Sequence, residues 1–427
     1  MKQQGLYLLF ILSTFSSCLE NPVMTTGIVN EKEEPTVLTI QITPFSDGDG
    51  ILVLNGEITS KGKSEIIERG FCWSTVSNNP DINDNIVLVS DTGASFSQEL
   101  NNASGDTTYY WRAFAKNSYG YDYGEVCSSQ TPPIWVAKQE LPSDSRGKGA
   151  IFLLNNRIYL TCGLKNQGQV VVTDMWEYNI ASDQWTQGDS MSFIGVGRIY
   201  PACFTIGNLA FVGTGLQPTP LTDKDFYQFN ADTKKWTELA TPDDFEARYE
   251  AAAFGLNGKG YLIGGLSGSG TGLNDVWQYD PVSDSWQKKN NFPVNFYGGI
   301  SICGNNQAFI GFSDAPESAK TLWEYNDTTD SWNEYAKLPD EITTKIYSGV
   351  IVQNTIYIVD GNNSIWTLNM SDTATWKKKS DLPVEFLSEA GGGSGNQTLL
   401  TVTNSNTIYV GLGFSKLLYE YHPLWDN

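Results

Sequence analysis

The sequence predicts an all-β chain, a β-sandwich followed by a six-bladed β-propeller. Three observations carry this. Residues 36–133 hold short polar–apolar alternations broken by closely spaced turn residues, the pattern of a sandwich. Residues 134–427 hold an aromatic–polar–apolar triplet six times, at a period of 43–53 residues, which is the spacing of multi-stranded propeller blades. Composition supplies the cores: 40% hydrophobic and 13% aromatic residues, including 13 Trp, far from the disordered class. A chain of 427 residues suggests about three domains at ~150 residues each, a prior that all-β architectures stretch.

Residues 1–17, MKQQGLYLLFILSTFSS, read as a secretory signal peptide: Lys2 is the basic end, Leu6 to Leu12 the apolar run, and small residues follow. The run is shorter than the ~20 residues of a membrane span. Phe15-Ser16-Ser17-Cys18 resembles a bacterial lipoprotein signal, with Phe where Leu is usual. The resemblance implies cleavage before Cys18 and lipid on its thiol; an ordinary cleaved signal is the alternative. Residues 18–35 lack apolar periodicity and carry a charged cluster, so they read as a lipidated tether. The expectation is an exported lipoprotein at the outer membrane or surface of a Gram-negative bacterium, touching the membrane only through its anchor.

In the sandwich region the strands read TVLTIQIT, GILVLNGEIT, ERGFCWST, TYYWRAFAKN and GEVCSSQ. The stretches ERGFCWST and TTYYWRAFAKNSYGYDYGE resemble fibronectin type III modules, which implies a spacer without chemistry. The five cysteines beyond Cys18 sit in apolar runs with no CxxC spacing, and an odd number leaves at least one free. Buried thiols are expected; a Cys72–Cys127 disulfide is the alternative in an exported chain.

The propeller triplets begin at Trp176, Tyr227, Trp277, Trp323, Trp366 and Tyr419. In the first five units a Trp follows at position 185, 236, 286, 332 or 376. The last triplet would need its Trp beyond the chain end, whereas Trp135 has no triplet before it. Trp135 is therefore expected to supply the outer strand of the sixth blade and pair its open edge. Trp425 is a rival for that place. Removing 424–427 is then expected to cost far less than removing 134–141.

These units resemble kelch repeats, whose hallmark is a diglycine, then Tyr, then Trp. Gly264-Gly265, Tyr279 and Trp286 match best; other units erode the diglycine, as in Gly163, Gly213-Thr214-Gly215 and Gly311. The resemblance implies that the loops entering the innermost strands line one mouth of the central channel. Those loops carry Arg146, Arg198, Arg248, Tyr297, Lys345 and Glu389, with Tyr200, Tyr249 and Tyr347 close by.

The charge of −21 argues against nucleic acid as a partner, since phosphate binding needs surplus Lys and Arg. One histidine, His422, cannot build a multi-histidine zinc or copper site, so no metal or other cofactor is expected and a copper oxidase is disfavoured. Arg and Lys converging with tyrosines suit a carboxylate-bearing ligand. The leading expectation is a binding module whose mouth takes an acidic glycan or acidic peptide through Arg146, Arg198, Tyr200, Arg248, Tyr249, Tyr297, Lys345 and Tyr347. The alternatives are a metal-free sugar mutarotase or epimerase similar to the sialic acid epimerases of the kelch group, with Glu250 moving the proton, and an interaction scaffold with no small-molecule site. A carboxylate left unpaired in the mouth separates enzyme from binder.

Overall fold

A computed structural model describes residues 32–41, 50–165, 170–188, 192–218, 222–383, 399–402, 406–413 and 415–426. Cys18 and Glu389 lie outside the described residues. No helix among the described residues is long and apolar enough to cross a membrane.

The described residues between 36 and 130 form two facing sheets. One holds Thr36–Ile40, Ile51–Ser60 and Ser95–Asn101; the other is built on Glu68–Ser74 and Thr108–Lys116, with three short strands alongside. Alternation along Ile51–Ser60 buries Leu52, Leu54 and Ile58, because successive side chains of a strand point to opposite faces. These meet Phe71, Trp111 and Ala113 in one core. Cys72 and Cys127 are both buried, and no disulfide joins them.

The rest is a six-bladed propeller. Five blades are antiparallel sheets whose strands follow in chain order, starting innermost at Ala150–Leu154, Ala202–Ile206, Ala252–Leu256, Ile300–Gly304 and Ile346–Val352, with a separate hairpin of Leu164–Lys165 and Val170–Val171 between the second and third strands of the first. The triplets lie in the third strands, as in Met175–Asn179. The sixth blade takes three strands from the chain end and its fourth from Trp135–Ala137, which pairs Leu418–Tyr421 in the register Tyr421↔Trp135. The Trp135 ring packs 4.5 Å from that of Tyr421. A strand from before the first blade thus removes the last blade's open edge.

Tyr178, Tyr279, Tyr325 and Tyr421 each donate their hydroxyl to an aspartate five residues on, at 2.6–2.8 Å. In the sixth blade that aspartate is Asp426, whose carboxylate also accepts from the Ser380 amide in blade 5. Trp425, beside it, is fully buried in the sandwich core, and its carbonyl accepts from Gly105 N–H at 2.7 Å. The C-terminal turn therefore joins sandwich to propeller. His422 is here too, its Nε2 3.0 Å from a Glu420 oxygen and its Nδ1 2.9 Å from the Pro133 carbonyl. The expectation that removing 424–427 costs far less than removing 134–141 is revised on this burial: the triplet count placed Trp135, but it could not show Trp425 packed in the other domain.

Trp425→Ala should cost roughly 3–5 kcal/mol, the usual range for truncating a buried Trp, measured by chemical denaturation. Deleting 423–427 should be no milder than deleting 134–141.

Candidate functional site

Two strings of backbone hydrogen bonds tie neighbouring blades together at one end of the channel. In the first, Gly163, Gly215 and Gly265 donate to the carbonyls of Arg198, Arg248 and Phe296 in the following blade, at 2.7–2.8 Å. These glycines have φ of +90° to +105°, beyond the left-handed helical region that other residues can enter at a cost of ~1–2 kcal/mol. The residues before them, Cys162, Thr214 and Gly264, have φ of 55–59°. The eroded diglycine follows from this: Cys and Thr are tolerated at its first position, and glycine is kept at its second.

In the second string, Tyr200 N–H donates to the Lys148 carbonyl at 2.9 Å, Glu250 N–H to the Tyr200 carbonyl at 3.4 Å, and Gly298 N–H to the Glu250 carbonyl at 3.0 Å. All four have φ of 53–65°. Each stands two residues before its blade's innermost strand, so one register position of blades 1 to 4 forms an arc around the mouth. Non-glycine residues held in this conformation concentrate where function demands it.

The arc borders a cavity of about 140 Å³ lined by Lys148-Gly149, Tyr200-Pro201, Glu250-Ala251, Gly298-Gly299-Ile300 and Lys345-Ile346-Tyr347. That is close to the ~150 Å³ of a cavity that takes one benzene ring. The sixth blade's entry loop, with Glu389, lies outside the described residues.

Of the residues expected at the mouth, Tyr200, Lys345 and Tyr347 line this cavity, as does Glu250. Tyr249 and Tyr297 do not. The Tyr249 ring packs 6.5 Å from that of Tyr200, and the Tyr297 carbonyl accepts from Asp314 N–H. The three arginines are a correction. Arg146, Arg198 and Arg248 are fully buried and committed to aspartates of their own blades. Arg248 donates to both oxygens of Asp275, at 2.5 and 2.8 Å, and to the Gly264 and Glu246 carbonyls. Arg198 holds Asp225 in the same two-pronged way. Arg146 reaches Asp174 at 2.6 Å. The first aromatic of each triplet closes the clamp: Trp176, Tyr227 and Trp277 donate to those same aspartates. An aspartate two residues before the triplet, in TDMWEY, KDFYQF and NDVWQY, was the sequence signal for this pairing.

Burial opposes the charge of Asp225 and Asp275, but the guanidinium hydrogen bonds and charge outweigh it and hold both carboxyls below the usual range. Such groups contribute stability above their unfolded pKa that is lost as pH falls through the depressed one.

Sequence reading missed Lys148 and Asp314. Lys148 follows Arg146 by two residues, and its ammonium lies 4.8 Å from the Tyr200 ring centre. Lys345 pairs with Asp314 at 2.6 Å. Glu250 makes no side-chain hydrogen bond or ion pair among the described residues. Burial raises its pKa above the usual carboxylate value; Lys345 and Lys148 oppose the rise and Asp314 adds to it. Among the described residues the mouth therefore presents one unpaired carboxyl, in a lining shared with two lysines and two tyrosines.

Residues 247–293, the third blade, match the Kelch motif. The solved structure of YjhT superposes with a TM-score of 0.52 at 14% identity, over 66% of this chain and 95% of that one. The fold is a kelch-type β-propeller. Human Kelch-like protein 23 is 25% identical over 180 residues, which are 42% of this chain and 31% of that protein. The N-acetylneuraminate epimerase of Pasteurella multocida (strain Pm70) is 33% identical over 90 residues, 19% of this chain and 22% of that protein. The matched stretches thus span less than a third of either relative.

Arg248→Ala should destabilise the propeller by about 3–5 kcal/mol, because it leaves Asp275 buried without its cation. Denaturation followed against pH should show the native protein losing stability below the ordinary carboxylate range, near pH ~4, and the variant losing less. Glu250→Gln should raise the melting temperature at neutral pH, since it breaks no bond and removes a disfavoured charge.

Proposed function

We propose that the cavity binds a monosaccharide bearing a carboxylate, and that Glu250 catalyses opening and reclosure of its ring at the anomeric carbon. The observation carrying this is the unpaired, partly buried Glu250 carboxyl in a ring-sized cavity beside Lys148 and Lys345. The short match to an N-acetylneuraminate epimerase supports the substrate class. A carboxyl whose surroundings raise its pKa gives and takes a proton nearer neutral pH than an ordinary one, which suits acid–base work.

Both oxygens of one carboxyl suit the reaction. The protonated oxygen gives its proton to the ring oxygen as the bond from ring oxygen to anomeric carbon breaks. The other accepts the anomeric hydroxyl proton as that carbon becomes a carbonyl. Rotation of the carbonyl and the reverse steps close the ring with the opposite anomeric configuration. Glu250 is regenerated, and no metal or redox partner enters the balance. Lys148 and Lys345 hold the carboxylate through charge-assisted hydrogen bonds, each contributing ~1.5–3 kcal/mol. Tyr200 and Tyr347 offer faces and hydroxyls to the ring.

The sandwich is read as a fibronectin type III-like spacer and Cys18 as the lipid anchor, which together would present the propeller at the outer membrane. Cys18→Ser should release the protein into the soluble fraction.

Exchange NMR on the anomers of N-acetylneuraminate tests the reading. The protein should accelerate interconversion, and Glu250→Gln should lower the enzymatic rate at least ~100-fold, the low end for acid–base catalysis, while leaving the fold intact. Binding without acceleration would overturn the catalytic part and return the propeller to a glycan-binding module.

A further inference from the structure

Among the described residues the mouth's charges balance before any ligand arrives. Lys148 and Lys345 bring two positive charges. Glu250 and Asp314 bring two negative ones when both are ionised. Of the expected mouth groups, Glu389 alone lies outside the described residues. The three buried arginines add nothing, because each is neutralised by its own aspartate.

The two carboxylates are not equivalent. Asp314 Oδ2 lies 2.6 Å from Lys345 Nζ, and the Asp314 backbone N–H donates to the Tyr297 carbonyl at 2.9 Å. Its approach depends on Gly298: a Cβ there would sit 2.2 Å from Asp314 Oδ2. Gly298 occupies the register that Lys148, Tyr200 and Glu250 fill in the preceding blades. The fourth blade thus omits a side chain and admits a carboxylate from a neighbouring loop, and that carboxylate occupies one of the two lysines. Glu250 has no comparable partner. The titratable groups around it are Lys148, Lys345, Asp314, Tyr200, Tyr249 and Tyr347.

We propose that an anionic ligand enters this cavity together with a proton, which Glu250 holds. A carboxylate seated against Lys148 and Lys345 would otherwise leave the mouth one negative charge in excess, inside a chain of −21 that offers no compensation. Protonation is cheapest on the carboxyl with least to lose. Asp314 would forfeit an ion pair; Glu250 forfeits none. The burial that raises the Glu250 pKa acts in the same direction. This inference rests on the acidic-ligand part of the function proposed above. It adds that the ligand itself delivers the acid form of the catalyst: a carboxylate sugar would arm Glu250, and a neutral one would not.

Isothermal titration of the full chain with N-acetylneuraminate, in buffers of different ionisation enthalpy, counts the protons exchanged. About one proton should be taken up per ligand, and affinity should fall about tenfold per pH unit above the Glu250 titration, as one-proton linkage requires. The uncharged methyl ester should bind with no uptake. Glu250→Gln should bind the acid with no uptake and little pH dependence. Asp314→Asn removes one negative charge and frees Lys345, so uptake should shrink and binding persist to higher pH; this second variant guards against misfolding of the first. Binding of the acid by the native protein without proton uptake, or uptake surviving in Glu250→Gln, overturns the inference. Failure of the acid to bind at all overturns it together with the acidic-ligand reading. Proton-coupled binding without anomer interconversion upholds it and removes only the catalytic reading.

Discussion

The mouth depends on the backbone bonds that cross from blade to blade. A propeller blade is satisfied within itself by its own ladder, so something else must fix the entry loops relative to one another. Here the glycines at 163, 215 and 265 reach the carbonyl of the following blade with a φ that side chains resist. Two residues further along those loops, Tyr200, Glu250 and Gly298 each donate a backbone N–H to the blade before. The buried arginines hold the same loops from behind, each anchored to an aspartate and, through it, to the first aromatic of its triplet. Loop, clamp and triplet form one unit, and the unit sets where the mouth side chains stand.

That division of labour separates stability from chemistry within a few residues. Arg248 and Glu250 are two positions apart, yet one is fully buried and bonded at every turn while the other has an unpaired carboxyl facing a cavity. A buried guanidinium held by a carboxylate and carbonyls is a structural group. A partly buried carboxyl with no partner is destabilising as an anion, and sites that keep such a group commonly use it. The third blade carries both, and it is also the blade matched by the Kelch motif.

Much of the architecture was legible in the sequence because it is written in repeats. Six triplets gave six blades, and an unmatched Trp135 gave the closing strand. The site was less legible. Arginines attract attention as anion ligands, but their partners lie 27 or 28 residues away, and only the recurrence of Asp two residues before the first three triplets hinted at the pairing. Lys148 was hidden behind Arg146 because the distinguishing property, a left-handed backbone two residues before the strand, is not a residue type. Asp314 reaches the mouth from a loop after the fourth blade's second strand, through space left by Gly298. Trp425 looked like a spare closure residue, because sequence periodicity speaks within one domain and Trp425 is buried in the other.

On this reading Glu250, not the arginines, is the group a ligand meets. A crystal structure of the protein soaked with N-acetylneuraminate tests this most directly. The sugar should lie in the channel mouth, its carboxylate against Lys148 and Lys345 and its anomeric oxygens against the Glu250 carboxyl, with Arg146, Arg198 and Arg248 still bonded to Asp174, Asp225 and Asp275. A sugar bound through any of those arginines, or seated away from Glu250, would contradict it.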